Sequence, residues 1–263
     1  MSEILRAENI AKSYGDKHVL SDISITLNEG ELISLLGVSG VGKTTLFNIL
    51  SGLVEPDAGK VLLRADAVPK NSKNGQEDLE EGFVSIAGKT GNLSYMLQKD
   101  LLLPHKTVVD NVALPLILSG MNKKQAREKA ASFFAQFGLD GTESKYPVQL
   151  SGGMRQRAAL LRTYLCGNRV ALLDEPFGAL DTLTRTAVHE WYIKIMDEIK
   201  LSTIFITHDI DEAILLSDRI YIMKGSPAFI SDEIVIGEPK PRAADYVLSE
   251  EFLKYKKHIK SLL

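Results

Sequence analysis

The sequence predicts an α/β core interrupted by a block of helices. Three observations carry that prediction. Apolar runs of strand length alternate with helical patterns near both ends of the chain. The run Leu32–Leu36 is almost continuously apolar, as in a strand buried on both faces of a mostly parallel sheet. Residues 105–138 carry helical periodicity with no strand between them. With 263 residues, 44% of them hydrophobic, the chain can bury a sizeable core.

Taken in order, Ile4–Ile10 and Val19–Leu27 read as strands joined by a turn at Tyr14-Gly15-Asp16. Asn28-Glu29-Gly30 is a second turn, leading into the strand Leu32–Leu36. A helix begins near Gly42 and stops at Gly52, with Pro56 and Gly59 beyond it. From Arg64 to Asn92 the sequence turns polar and aperiodic, so a solvated surface excursion is expected, and Leu93–Leu97 returns to strand character. Val108–Leu118 reads as one helix and Lys123–Phe137 as another, with Ala126, Ala130, Phe133, Phe134 and Phe137 on one face. A helix from Ser151, the strand Val170–Leu173, a helix Leu183–Ile199 and the strand Thr203–Thr207 follow. A short helix Asp209–Leu216, strands Arg219–Met223 and Phe229–Ile236, and a terminal helix Ser249–Leu262 complete the chain. The division expected is 1–98 with 151–263 as the core, and 99–150 as a helical subdomain.

Bulk properties remove several function classes. The formal charge of −3 gives no electrostatic reason to expect nucleic acid as a partner. A single cysteine, Cys166, rules out a disulfide framework and a thiolate metal site; it reads as a small buried side chain in a reducing cytosol. The N-terminus shows no leader pattern. The longest apolar stretches, Leu101–Leu103 and Val112–Leu118, fall well short of the ~20 residues that a membrane span needs. A soluble protein is expected, and any membrane it serves must be spanned by another chain.

Gly37-Val38-Ser39-Gly40-Val41-Gly42-Lys43-Thr44 fits the spacing G-x-x-x-x-G-K-[ST] and is followed by Thr45. Its glycines let successive N–H groups turn inward as a nest for anionic oxygens, and the helix behind adds its positive end. Lys43 then offers a charge to the β- and γ-phosphates of a nucleotide, and Thr44 a hydroxyl to Mg²⁺. A second strand, Val170-Ala171-Leu172-Leu173, ends in Asp174-Glu175. Asp174 is the candidate for holding Mg²⁺ through water, and Glu175 for orienting and deprotonating an attacking water.

A second anion site is legible at Leu150-Ser151-Gly152-Gly153-Met154-Arg155-Gln156-Arg157, where Ser151 can cap a helix whose first N–H groups are left open by two glycines. This octapeptide resembles the signature of ATP-binding-cassette (ABC) ATPases. Tyr14, the phosphate loop, Gln98, the signature, the acid pair, Gly178-Ala179-Leu180-Asp181 and Thr207-His208-Asp209 follow that family's order over residues 3 to 225. The resemblance implies a P-loop NTPase (RecA-like) α/β core with an N-terminal antiparallel β subdomain and an inserted α-helical subdomain. It also implies a head-to-tail homodimer with ATP between the chains, each phosphate loop facing the partner copy's signature. By position, Tyr14 would stack on adenine, Gln98 would reach Mg²⁺ and the water, His208 the γ-phosphate, and Asp181 would link the two sites.

Residues 95–104 and 107–112 are similar to importer subunits of the nitrate/sulfonate/taurine group, which includes relatives for pyrimidine-type vitamin precursors; His105 replaces the usual Trp. That likeness implies integral membrane permease partners, a solute-binding protein acting outside the cell, and a place on the cytoplasmic face of a prokaryotic membrane. A non-transport ABC ATPase and an exporter cassette are the alternatives. The first commonly carries two cassettes or long coiled-coil arms, and the second is commonly fused to its membrane domain.

Overall fold

The computed structural model describes residues 2–69, 79–178, 182–240, 242 and 244–263. One sheet of eleven strands runs through it. Its first part is antiparallel: β1 (Glu3–Tyr14) and β2 (Lys17–Asn28) form a hairpin around Gly15, and β4 (Ala58–Arg64) pairs with the other side of β1. The second part is parallel, with β3 (Leu32–Leu36), β9 (Ser202–Thr207), β8 (Val170–Asp174) and β7 (Ser94–Met96) side by side. Between the parts lie β10 (Arg219–Gly225) and β11 (Ala228–Val235); β10 runs parallel to β3, and β11 meets β2 at Ala228 opposite Leu20.

All five residues of β3 are buried, in keeping with their apolar run. Ile33 and Leu35 join a cluster with α1 (Lys43–Leu50) and the N-terminal strands, whereas Leu32 belongs to the cluster on the opposite face. Alternation thus survives in a strand whose sequence does not show it, because both faces are covered. Burying each such side chain contributes about 1.5–3 kcal/mol.

Between β7 and α5 (Gly152–Tyr164) the described secondary structure is helical, apart from turns. The expected helix Val108–Leu118 is divided into α2 (Val108–Val112) and α3 (Leu114–Leu118) at Ala113. Pro115 causes the break, since it has no N–H to offer the carbonyl of Asn111. The helix expected at Lys123–Phe137 stops earlier, as α4 (Lys123–Ala131), and continues as tight turns in which Phe133 and Phe134 donate to carbonyls three residues back. Its expected inner face holds: Ala126, Ala130, Phe134 and Phe137 are fully buried and Phe133 packs beside them. These side chains share one apolar cluster with Leu173 and Phe205 of the sheet.

Two further expectations are corrected. The polar excursion at 64–92 includes a hairpin, β5 (Leu79–Glu80) with β6 (Phe83–Ser85), and β6 extends the sheet beyond β4. Strands of two or three residues carry no readable periodicity, and residues 70–78 of the excursion lie outside the described ones. Cys166 is exposed rather than buried, because it falls in the turn just after α5 ends.

After β8 come α6 (Thr182–Ile199), α7 (Ile210–Leu216) and α8 (Glu250–Leu262). Ser151, Asp209 and Ser249 cap α5, α7 and α8 with their side-chain oxygens, as those residue types favour. Among the described residues no helix is long and apolar enough to cross a membrane.

Candidate nucleotide site

Strand register assembles the site. Leu36 at the end of β3 lies opposite Thr207, Asp174 opposite Ile206, and Met96 opposite Leu173. The parallel strands therefore deliver Gly37, His208, Glu175 and Gln98 to the same edge of the sheet, at the carboxyl ends where α/β sheets bind ligands.

The loop from Gly37 to Thr44 is held open by backbone geometry. Gly40 and Gly42 adopt φ of +79° and +121°, conformations that a side chain would strain. Among the described residues, the N–H groups of Ser39, Gly40, Gly42, Lys43 and Thr44 have no protein acceptor, which makes them a nest for oxygens of an anion. Lys43 is buried, and its Nζ donates to the carbonyls of Gly37 and Val38 at 2.7 and 2.9 Å. Burial pushes its ammonium below the usual lysine range, and the carboxylates of Glu175 and Asp174 pull it back up. A γ-phosphate would offer this ammonium an anionic partner beside those two carbonyls.

Asp174 and Thr44 face each other, with Thr44 Oγ1 donating to Asp174 Oδ2 at 3.3 Å. Burial raises the Asp174 carboxyl above its ordinary range, and the charge of Glu175 adds to that; Thr44, Lys43 and Tyr95 oppose it. Two hard oxygen donors beside a phosphate nest fit Mg²⁺, which keeps several waters and needs few protein ligands. Among the described residues no group of three or more His, Cys, Asp or Glu forms a metal cage of its own.

Glu175 sits at φ +46°, a left-handed conformation rare outside glycine and costly by about 1–3 kcal/mol at such sites. Its backbone N–H donates to Ile206, which ties it to β9. Gln98 Nε2 donates to Glu175 Oε2 at 2.8 Å, and His208 Nδ1 lies 3.3 Å from Glu175 Oε1. Gln98, expected at the metal, is thus placed against the candidate base.

The remaining expected residues lie apart from this cluster. Tyr14 is exposed at the tip of the β1–β2 hairpin, with the Lys12 ammonium 5.7 Å from its ring centre. That hairpin reaches the loop, since a side-chain carbon at Gly42 would stand 3.0 Å from Leu20 and 3.3 Å from Val19. Ser151, Gly152 and Gly153 open α5, which packs on the edge strand β7; that strand is three places from β3, about 14 Å across the sheet. Among the described residues no hydrogen bond joins them to the loop. Asp181, with Ala179 and Leu180, lies outside the described residues.

Tyr95 was not expected here. Burial and the neighbouring Asp174 carboxylate hold its hydroxyl well above the usual tyrosine range, and it stands 3.5 Å from Asn48 Oδ1. The sequence carries no signal for it, since a strand of three residues, Ser94-Tyr95-Met96, has no readable periodicity.

The ABC transporter profile matches residues 20–178. The chain belongs to the ABC transporter family. It is 38% identical to the formylaminopyrimidine import ATP-binding protein ThiZ of Halalkalibacterium halodurans, over all of this chain and 97% of that one. It is 36% identical to the aliphatic sulfonates import ATP-binding protein SsuB of Bacillus cereus, over 95% of this chain and 90% of that one. Among solved structures, the dimeric ATP-binding cassette MJ0796 in a post-hydrolysis state with ADP and Pi aligns at a TM-score of 0.68 and 27% identity, covering 90% of this chain and 100% of that one. The cbiO1 protein of Clostridium perfringens shares the fold at a TM-score of 0.75 and 21% identity, over 99% of this chain and 96% of that one.

Proposed function

We propose that this chain is the ATP-hydrolysing subunit of an importer, working as a homodimer on the cytoplasmic face of a membrane beneath permease subunits. The observation that carries the reading is the convergence of Gln98 and His208 on the two oxygens of Glu175, next to an open phosphate nest. The import relatives and the dimeric cassette support the rest.

In this reading the loop N–H groups and Lys43 hold the β- and γ-phosphates of ATP, and Tyr14 stacks on the adenine. Thr44 and Asp174 would hold Mg²⁺, with Gln98 reaching toward it; the ion supplies positive charge to the phosphate oxygens. Glu175 takes a proton from water as its oxygen bonds to the γ-phosphorus and the bond to the β–γ bridging oxygen breaks, leaving ADP and inorganic phosphate. Gln98 fixes the carboxylate of Glu175, and His208 bridges it to the γ-phosphate. Ser151, Gly152 and Gly153 of one protomer complete the phosphate site of its partner, with Asp181 at the seam. ATP closes the dimer because only the triphosphate meets both halves, which is a difference in affinity between two states.

Residues 99–150 form the helical subdomain that passes this closure to the permease. Leu101 and Leu118 are exposed there, apolar side chains suited to meeting an apolar helix of the permease. The solute belongs to the pyrimidine-precursor or sulfonate class, delivered to the permease by an extracytoplasmic solute-binding protein.

Replacing Glu175 with Gln tests the reading. The variant should keep ATP binding, lose turnover by about 100-fold or more, and elute as a dimer in light scattering with saturating Mg-ATP. A monomer under those conditions would refute the role given to Glu175.

A further inference from the structure

One buried polar cluster lies beneath the turn that carries His208. Thr207, Glu212 and His189 are 2%, 5% and 8% exposed. They come from the end of β9, from α7 and from α6. Thr207 Oγ1 donates to Glu212 Oε2 at 2.6 Å and accepts the backbone N–H of Asp209 at 3.0 Å. The other oxygen of Glu212 meets His189 Nε2 at 3.2 Å, and the His189 ring is seated edge-on against Phe177, with ring centres 4.7 Å apart.

A single hydroxyl therefore fixes the residue before His208 and the residue after it. His208 itself is 60% exposed at its side chain and stands against Glu175 at 3.3 Å. With more than half of its side chain in solvent, the ring is placed chiefly by its backbone and by that contact with Glu175. A carboxylate is costly to bury, and a helix start needs only one capping side chain. Here Asp209 already caps α7, accepting from Asp211 and Glu212, so Glu212 is not needed for the cap. Its two oxygens serve the Thr207 hydroxyl and the His189 ring, and Phe177 on that ring lies two residues beyond Glu175.

We propose that Glu212 is a positioning residue: held by His189, its carboxylate fixes the Thr207 hydroxyl, and so sets the backbone on both sides of His208 and the approach of that ring to Glu175 and the γ-phosphate. The inference rests on the reading that His208 serves ATP hydrolysis.

The test compares purified full-length variants by steady-state ATPase kinetics, affinity for a fluorescent ATP analogue, and thermal melting. Thr207→Val keeps the shape of the side chain and removes the hydroxyl. It should lower kcat about ten- to a hundredfold, the scale of a misplaced catalytic group, while KM and analogue affinity stay near wild type. Thr207→Ser, which restores the hydroxyl, should recover most of the rate. If Thr207→Val does not fold, Glu212→Met, close to Glu in shape and without an oxygen to accept the hydroxyl, carries the same expectation.

His208→Ala separates the two possible failures. Should it retain wild-type turnover, the reading of His208 falls and this inference with it. Should it lose turnover while Thr207→Val or the folded Glu212→Met keeps wild-type kcat, this inference alone is overturned. Adding Thr207→Val to His208→Ala should cost little further rate; a second loss as large as the first would mark general structural damage and would also overturn it.

Discussion

Two helix starts in this chain are nearly bare of side chains, and the fold treats them differently. At α1, Gly42 holds a positive φ that glycine takes readily and gives no side-chain cap, and Lys43 folds back onto the carbonyls of Gly37 and Val38. Register then sets Asp174, Glu175, Gln98 and His208 around it from the same chain. At α5, Ser151 closes its own cap by accepting from Met154, Gly152 and Gly153 add no side chain to the first turn, and no hydrogen bond among the described residues reaches the phosphate loop. Both ends offer N–H donors to an anion. Among the described residues only the first has Asp174, Glu175, Gln98 and His208 of its own chain around it, which supports the proposal that the second serves a partner copy.

Three experiments break or sharpen that contrast. The largest effect is expected from Ser151→Arg, which should leave ATP binding by the monomer intact and reduce ATPase turnover about 100-fold or more, the scale of losing a preorganised anion site. Mixing it with Lys43→Ala chains should restore turnover, because one of the two composite sites then has both halves intact. Persistent turnover by Ser151→Arg alone, or no recovery in the mixture, would move the second anion site back into its own chain. Next comes Lys43→Ala itself. Removing a charged phosphate contact should weaken ATP binding about tenfold or more, and unchanged affinity in a titration would remove Lys43 from the site.

The smallest effect concerns stability without nucleotide. Asp174 has a raised folded-state pKa, so the folded chain binds its proton more readily than the unfolded one, and stability falls as pH rises through the folded pKa. Asp174→Asn should therefore melt higher than wild type at pH 7, by about 2–4 °C if the relief is ~1 kcal/mol. The gain should disappear below the ordinary Asp pKa, where both states are protonated. A lower melting point at pH 7 would mean that the Thr44 and Lys43 contacts outweigh burial.

The phosphate loop, the acid pair and the capped helix at Ser151 were legible because each is a local pattern whose chemistry needs its residues at fixed spacing. So were the strands from Leu32 and Val170, where apolar runs are nearly unbroken, and the terminal helix with its serine cap. What stayed hidden depends on register or on single residues. That Gln98 meets Glu175 rather than the metal-side carboxylate follows from β7 pairing with β8, which no stretch of sequence announces. The strand Ala58–Arg64 begins with three exposed residues, and β5 and β6 are too short to alternate visibly. Pro115 split a helix that periodicity alone joined. His189 and Glu212 are 23 positions apart and meet only once α6 and α7 are packed.

Gly37 illustrates how tightly the loop is bound to what lies behind it. A side-chain carbon there would stand 2.4 Å from the carbonyl oxygen of Met223 on β10. The first glycine of the motif therefore answers to the sheet's own masonry: enlarging it would wedge β3 from the neighbour that joins the parallel strands to the antiparallel ones. A defect there would look like lost affinity, yet its origin would be architectural.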